Sequence, residues 1–418
     1  MNTQATRHPK ETRVICLPLD QKNYLQVSND AVLFRRALDE QIKCFPELFP
    51  KDIGQGYLMK DRRISLRLKI PIRRIKVGQH NYTVRPSFVT PYLTGFVVEV
   101  EKALFLRKFA TPFWALSYVF GKNDMYWYRI EQHIGHASLV GTTIRKSEDL
   151  PEHLVSDEKH TKMRGEKCYI ATTCGSNCIL GVSVAMSASE TGLTSAYGVF
   201  KTEAQQLNAD YQPKTVNTDG WPATQLAWKS LFSGILLITC FLHIYIKLRD
   251  RSKLKFKSLF IEMADKLWGC YKSTSKASFS QRLRRLGEWL QDQKAAEFMR
   301  NKIAKMRTMP ESFTVAYDFP EAHRTSNSVD RLMGLMDRHL FTMRYFHGKD
   351  QVASEYSIRS WALIYNFAPS NPITIRINKG LKSPAERLNR FRYHDNWLQN
   401  LLIPSSQKGV FCPPLNTG

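Results

Sequence analysis

The chain has 418 residues, and 43% of them are hydrophobic, so it is long enough and apolar enough for two to four folded domains. This composition excludes an intrinsically disordered or low-complexity chain. A formal net charge of +24 predicts a polyanionic partner, most simply nucleic acid, and the alternative is a basic but otherwise ordinary protein.

Cysteine usage and hydropathy favour the cytoplasm. The eight cysteines follow no disulfide framework and no secretory signal opens the chain, so we expect reduced thiols. The spacing of Cys168, Cys174 and Cys178 does not match a zinc site. The longest apolar run, residues 235–246, is shorter than the ~20 residues that cross a bilayer, so we expect no membrane partner.

Residues 1–98 are predicted to form a β-rich basic arm. Apolar residues alternate with polar and basic ones from Ile64 to Ile72, and basic residues follow up to Val77, which predicts a strand or a hairpin with an apolar face and a cationic face. The cationic face is a candidate DNA-binding surface, although a solvated strand face gives the same pattern. Its candidate residues are Arg67, Lys69, Arg73 and Arg74.

Residues 99–150 are predicted to be helical, with turns at Gly121 and Gly135 and a helix cap at Asn123. Two helices joined by a tight turn are the layout of a helix-turn-helix unit. We therefore expect a second DNA-binding region here, and the alternative is a plain helical connector.

Residues 152–239 predict a compact α/β arrangement. Three short strands with hairpin-like turns come first, followed by a helix, a strand, a second helix and a fifth strand at residues 235–238. Gly220 permits a sharp turn after the fourth strand, and Pro222 suits the first turn of the second helix. Asp219 is thereby placed at the carboxyl end of a strand, where open α/β sheets hold ligands.

The segment 244–312 is predicted to be an all-helical insertion. Residues 244–309 carry 17 Lys and Arg against 6 Asp and Glu. Such an excess of charge would form a track for the DNA backbone, or else the solvated face of a helical lid. The candidate DNA contacts are Arg282, Arg284 and Arg285.

A long helix is expected after this insertion, with Ser326 or Asn327 as its cap and Asp330 in its first turn. Taken alone, Asp330 would be interpreted as a capping acid, because a carboxylate there complements the helix dipole. Residues 349–418 are expected to pack on the core, with a disordered end from Ser405.

The three acids Asp157, Asp219 and Asp330, 62 and 111 residues apart, resemble the catalytic residues of the DDE/D transposases of bacterial insertion sequences. These enzymes belong to the RNase H-like superfamily of polynucleotidyl transferases. Many relatives carry Glu at the third place, so this chain is a DDD version. Cys240-x-x-His243 is similar to the C/D-x-x-H signature of the Mutator-like and hAT-like branches, which also carry a helical insertion, and we expect a structural or supporting role for this pair.

The resemblance implies an RNase H-like catalytic domain over residues 151–348, with a mixed five-stranded sheet, flanking helices and the helical insertion. It implies two Mg²⁺ (or Mn²⁺) ions held by the three carboxylates, since hard cations take oxygen ligands. Adjacent strand residues face opposite ways, so only one of Asp157 and Glu158 can reach the site, and the family pattern favours Asp157. Asp337 and Glu321 are the first replacements if Asp330 is not the third acid.

The implied function is DNA transposition. The protein would bind the terminal inverted repeats of an insertion sequence, cleave a strand with water and join the freed 3′-hydroxyl to target DNA. Double-stranded DNA would be its partner, a homodimer or higher oligomer its assembly, and the prokaryotic nucleoid its location. Two alternatives stay open: an RNase H-like nuclease that cleaves without joining, and a catalytically decayed DNA-binding protein.

Overall fold

The computed structural model describes residues 13–252, 255–346, 351–407 and Gly409. Within these ranges it contains a four-stranded sheet, a five-stranded sheet and 18 α-helices. The predicted α/β class with a mixed five-stranded sheet is therefore confirmed. No helix in the described ranges combines the length and apolar character that a bilayer crossing needs.

The first sheet is built from the N-terminal strands β1 (Val14–Leu17), β2 (Leu58–Ile64), β3 (Pro71–Val77) and β4 (His80–Pro86), in the order β1-β4-β3-β2. Helices α1 (Tyr24–Asn29) and α2 (Ala31–Cys44) follow β1 in the chain. Of the two alternatives for residues 64–77, a strand or a hairpin, the structure has the hairpin, because residues 65–70 form the turn between β2 and the antiparallel β3. Lys69 adopts a left-handed φ of 54° in that turn.

Four helices precede the second sheet: α3 (Val97–Arg107), α4 (Phe113–Phe120), α5 (Asp124–Ile134) and α6 (Leu139–Thr143). Asn123 accepts a hydrogen bond from the amide of Tyr126 and caps α5, as its sequence predicts. A buried ion pair between Arg107 and Glu131 joins α3 to α5. This ion pair holds α3 and α5 together inside the fold.

The second sheet contains β5 (His153–Met163), β6 (Glu166–Gly175), β7 (Cys178–Ala185), β8 (Thr215–Thr218) and β9 (Leu236–Thr239), in the order β7-β6-β5-β8-β9. β5, β6 and β7 are antiparallel, whereas β8 is parallel to both β5 and β9. Helix α7 (Glu190–Leu207) connects β7 to β8, and α8 (Pro222–Leu231) connects β8 to β9. Helix α7 begins at Glu190 because the side chain of Ser189 caps it.

The second sheet separates two hydrophobic cores. Along β5, Leu154 packs into the core that contains α7 and α8, and Val155 packs into the core on the other face. Side chains alternate along a strand, so Glu158 shares the face of Leu154 and Asp157 shares the face of Val155. The larger of the two cores also includes residues of the first sheet and of the C-terminal helices.

Residues 241–252 and 255–314 form a helical unit between β9 and the C-terminal helices. It contains α9 (Phe241–Arg251), α10 (Lys257–Tyr271), α11 (Lys276–Asp292), α12 (Glu297–Thr308) and α13 (Glu311–Thr314). These helices bury a hydrophobic core of their own. Their apolar faces point inwards, so the basic side chains of α11 lie on its exposed side.

The C-terminal helices are α14 (Asn327–Thr342), α15 (Gln351–Phe367), α16 (Pro372–Ile377), α17 (Pro384–Asn389) and α18 (Trp397–Leu402). Trp361 and Leu401 are buried in the larger core, in keeping with the expected packing of this region. Arg390 adopts a left-handed φ of 48° and ends α17, so α17 and α18 are separate helices. Ser405 lies in a short 3-10 turn, which corrects the predicted start of disorder, and residues 410–418 lie outside the described residues.

Candidate active site

Three side chains from three elements meet beside the second sheet. Asp157 of β5, His243 in the first turn of α9 and Asp330 in the first turn of α14 each offer one ligand atom, and these atoms all lie within 4.8 Å of one another. All three side chains are half-buried. Carboxylate oxygens and imidazole nitrogens are common metal ligands, so the group is a candidate metal centre.

Ser326 connects α9 to the start of α14. Its backbone amide donates to the sulfur of Cys240 at 3.2 Å, and its hydroxyl donates to Oδ2 of Asp330 at 2.9 Å. The same hydroxyl lies 3.4 Å from Nδ1 of His243. Ser326 occupies the predicted cap position, but its side chain makes no cap bond and instead holds the carboxylate of Asp330.

The two residues of the Cys240-x-x-His243 pattern make different contacts. Cys240 is buried and makes hydrogen bonds to Ser326, which agrees with the supporting role expected of it. His243 was expected to have the same role, but its imidazole lies directly among the carboxylates. The ring is thus near enough to act as a ligand in its neutral form, and the supporting role expected of His243 stays a prediction.

Asp219 directly follows β8, as its sequence predicts, but it lies beside the group and not within it. Gly220 takes the left-handed φ of 85° that the turn requires. One carboxylate oxygen of Asp219 accepts from the amide of Trp221 at 2.7 Å, and the other lies 3.6 Å from Nζ of Lys247. Its charge nonetheless raises the pKa of Asp157, so the two carboxylates are close enough to interact.

Burial has the largest effect on Asp157, and a hydrogen bond has the largest effect on His243. Burial raises the pKa of Asp157 to about 6, the positive charge of His243 opposes the shift, and Asp219 and Asp330 add to it. The hydrogen bond with Cys240, and the charges of Asp157 and Asp330, raise the pKa of His243 to about 9. At neutral pH His243 is therefore a cation between two carboxylates.

Glu158 faces away from this group. Its Oε1 accepts hydrogen bonds from the hydroxyls of Tyr197 at 2.7 Å and Thr224 at 2.5 Å, which belong to α7 and α8. Burial raises the pKa of Glu158 to about 7. Strand alternation thus separates the two neighbouring acids in the way expected from the sequence.

The two replacement candidates for the third acid lie elsewhere. Asp337 is half-exposed and forms a salt bridge of 2.6 Å with Lys159. Glu321 is exposed and influences the pKa of His153. Neither belongs to the group formed by Asp157, His243 and Asp330.

A cavity of about 340 Å³ adjoins Asp219 on the side of the helical unit. Lys247, Lys302 and Lys305 line it together with Trp221 and His243. Burial, followed by the charges of Lys247 and Lys305, lowers the pKa of Lys302. Three ammonium groups crowded beside a carboxylate cluster give the cavity the charge that a phosphodiester ligand requires.

These lysines were missed by reasoning from sequence, although a weak signal exists. Lys247 follows His243 by four residues and therefore lies on the same side of α9. Lys302 and Lys305 are three apart on α12 and share one face for the same reason. Nothing local in the sequence indicates that α9 and α12 face each other across a cavity.

The structure corrects the cationic strand face predicted for the first sheet. Arg73 is buried and donates to the carbonyl oxygens of Ser28 and Asn29, at 2.8 Å and 3.1 Å. Arg74 forms an ion pair with Asp61, and this hydrogen bond lowers the pKa of Asp61 to about 2. Both guanidinium groups are thus used within the fold, and the two remaining candidates, Arg67 and Lys69, are exposed in the β2–β3 turn.

The predicted helix-turn-helix region presents an aromatic surface and not a basic one. α4 contains no Lys or Arg, and its Trp114 and Tyr118 are 66% and 88% exposed. α5 buries Trp127 and Ile130 in the larger core and carries only Arg129 as a cation besides its histidine. This surface differs from the basic helix that normally enters the major groove of DNA.

No known family model matches this chain, and no curated protein matches it either. The interpretation of the site therefore depends on the residues and geometry of the chain itself.

Proposed function

We propose that this protein is a DNA transposase of the DDE/D class, which cleaves strands at the ends of an insertion sequence and joins them to target DNA. The observation that carries the proposal is the meeting of Asp157 and Asp330 within 4.8 Å, although 173 positions separate them in the chain. Asp219 follows the adjacent parallel strand and acts electrostatically on Asp157.

The order of elements supports an RNase H-like core. Three antiparallel strands precede α7, β8, α8 and β9, which gives the β-β-β-α-β-α-β order that the resemblance implies. The helical unit lies between the second and third acids, where the resemblance expects an insertion. Under this proposal the partners are duplex DNA and a second copy of the chain.

The donor set fits a hard divalent cation such as Mg²⁺ or Mn²⁺. Asp157 and Asp330 supply carboxylate oxygens, which these ions prefer, and Asp219 is the carboxylate available for a second ion. Burial raises the pKa of Asp157, and the charges of Asp219 and Asp330 add to the shift, so a cation bound at these carboxylates would stabilise the ionised form. When bound, two such ions stabilise the attacking and leaving oxygens of phosphodiester exchange.

The protein's own groups then have separate tasks. Ser326 fixes the orientation of Asp330 through its hydrogen bond of 2.9 Å. Lys247, Lys302 and Lys305 provide positive charge for a phosphate beside the carboxylates. His243 holds a proton next to Asp157 and Asp330 at neutral pH. Water and a 3′-hydroxyl are the nucleophiles in this class of reaction, so no nucleophilic side chain is required.

The proposal is tested by Mg²⁺-dependent nicking and strand transfer on DNA that carries the inverted repeats flanking the gene. Asp219→Asn keeps the shape of the side chain but removes a negative charge from the cluster. We expect both reactions to fall by at least ~10²–10³-fold. Binding to the same DNA in a gel-shift assay should be retained, because the basic surfaces are unchanged.

Asp337→Asn is the matched control, since it removes an equal charge from an exposed carboxylate on α14. It should cleave at the wild-type rate. Near wild-type nicking by Asp219→Asn would contradict the assignment of the site. Cleavage without joining by the wild-type protein would identify a nuclease, and binding without cleavage would identify a decayed transposase.

A further inference from the structure

A second cationic cavity lies outside the candidate active site. This groove has a volume of about 1030 Å³ and is bordered by the end of α3, the β6–β7 turn, α14 and the segments around α16 and α17. Its cations are Lys108, Arg331, Arg387 and Arg390, and none of the described residues that line it is acidic. Positive charge is therefore concentrated there without a neutralising carboxylate in its lining.

Two of these cations also have tasks within the fold. Nζ of Lys108 donates to the carbonyl oxygens of Ala368 and Pro369, at 2.9 Å and 2.8 Å. Burial and then the charge of Arg387 lower the pKa of Lys108 to about 8. Arg387 donates to the hydroxyl of Ser370 at 3.0 Å. These hydrogen bonds hold both side chains in place, so Lys108 and Arg387 contribute positive charge at fixed positions in the groove.

The other two cations, Arg331 and Arg390, are exposed. Long exposed guanidinium side chains can move to meet a ligand, and their planar donor groups match the oxygens of a phosphate. An anionic polymer in the groove would therefore meet two fixed and two adaptable positive charges.

The first turn of α14 borders both the groove and the candidate active site. Arg331 directly follows Asp330, and consecutive residues of an α-helix point about 100° apart. The first turn of α14 thus presents a carboxylate to the metal-ligand group and a guanidinium to the groove. A polymer with one phosphate at the carboxylates can place another phosphate at Arg331, whereas a single small anion cannot occupy both places.

Aromatic rings in the same groove add surfaces on which bases can stack. Phe109 is 57% exposed, and its ring packs edge-to-face on Phe105 at 5.4 Å. Both rings and Tyr365 line the groove beside Lys108. Cations that follow a backbone, interleaved with aromatic rings, are the combination that strands of nucleic acid bind.

We propose that this groove binds the sugar-phosphate backbone of the nucleic-acid strand that enters the candidate active site, and that Arg331 and Arg390 each neutralise a phosphate. The identity of that strand as substrate rests on the proposed function, but binding itself does not require catalysis.

The test measures binding of a fluorescent duplex of about 20 base pairs, and of one of its strands alone, at a series of salt concentrations with EDTA present. The double variant Arg331→Gln, Arg390→Asn removes both exposed charges, and Asn tolerates the left-handed backbone at position 390. For the duplex we expect the slope of log K against log salt to decrease in magnitude by about 1.8, and for the single strand by about 1.4. Affinity at low salt should fall by roughly tenfold or more.

The matched control is Lys162→Gln, Lys167→Gln. These two exposed lysines lie opposite each other on β5 and β6, at the end of the sheet away from the β6–β7 turn. The control removes the same charge and should leave both slopes unchanged. Melting temperatures close to the wild-type value would show that both double variants are folded.

An unchanged slope in the groove variant, or an equal change in the control, would overturn the proposal. The proposal would also be overturned if the groove variant lost the rise in melting temperature that inorganic phosphate gives the wild-type protein but bound oligonucleotides as the wild type does. That result would identify a site for a small anion. A reduced slope in a protein that never cleaves DNA would support the groove and contradict the transposase proposal. Cleavage by the wild-type protein, together with an unchanged salt slope in the groove variant, would support the transposase proposal and contradict the groove.

Discussion

Carboxylates removed from solvent occur in two different settings in this protein. Glu131 is 1% exposed, and the guanidinium of Arg107 donates to both of its oxygens. Asp157 and Glu158 instead lie next to each other and near Asp219, and burial raises their pKa values to about 6 and 7. One setting pairs a single carboxylate with a single cation, whereas the other gathers several acids, with the imidazole of His243 as the cation beside Asp157.

The difference separates groups that hold the structure together from groups available for chemistry. A paired and fully hydrogen-bonded carboxylate needs no further partner, but a cluster of acids is stabilised by a proton or by a bound cation. Strongly shifted carboxyl groups in a cleft are therefore candidates for function. The cations fall into the same two groups. Arg73 and Arg74 make contacts within the fold, whereas the lysines beside Asp219 line a cavity.

The largest expected effect on stability is at the paired carboxylate. Glu131→Gln leaves the guanidinium of Arg107 buried without its counter-charge, which typically costs about 3–5 kcal/mol of unfolding free energy. Chemical denaturation measures this loss. Glu152→Gln breaks an ion pair with Lys214 whose side chains are about half exposed, and it should cost less than about 1 kcal/mol. Equal losses in the two variants would contradict the distinction between paired burial and surface pairing.

A smaller effect is expected at the clustered acids, and it depends on pH. The pKa of Glu158 is about 7 in the folded protein against 4.5 ordinarily, so the folded state keeps a proton that the unfolded chain releases in this interval. The free energy of unfolding should therefore fall as pH rises from 4.5 to 7, by up to about 3 kcal/mol from this group.

Glu158→Gln tests this pH dependence, because the amide can still accept from Tyr197 and Thr224 but does not titrate. Denaturation across the same pH interval should show a shallower fall in the variant, because the contribution of Glu158 is absent. A fall as steep as that of the wild-type protein would show that Glu158 titrates normally.

The smallest effect concerns cations on the surface. Arg282, Arg284 and Arg285 are exposed on α11, and replacing all three by Gln should reduce the salt slope of duplex binding by up to about 2.7. Arg74→Gln should leave the slope unchanged, since Asp61 already neutralises that guanidinium. An unchanged slope in the triple variant would show that α11 presents a solvated face and not a DNA track.

Much of the fold follows from local patterns in the sequence. Alternating residues and turn residues predict β5 to β7, and Gly220 with Pro222 places Asp219 after β8 and before α8. The prediction of a free cationic face on the first sheet is wrong for a reason that the neighbouring residues do not reveal. Arg73 is buried because its acceptors, the carbonyls of Ser28 and Asn29, come from a distant part of the chain.

The candidate site shows the same limit. The sequence indicates Cys240 and His243 as a pair, but only the packing of α9 beside β5 and α14 brings the imidazole to Asp157 and Asp330. The bond from Ser326 to Asp330 was equally hidden, because the sequence pattern there is also that of an ordinary helix cap. Local signals thus place Asp219 after its strand, the resemblance selects Asp157 and Asp330, and tertiary packing determines what surrounds them.

Direct binding of Mn²⁺, followed by the paramagnetic signal of the free ion, tests the central claim that Asp157 and Asp330 belong to a site for divalent cations. The wild-type protein should bind the ion, and Asp157→Asn and Asp330→Asn should each weaken binding by at least about tenfold, because each loses a charged oxygen ligand. Glu158→Gln should bind as the wild type does, since that carboxyl group faces α7 and α8. Equal binding by all four proteins, or a loss confined to Glu158→Gln, would contradict the account.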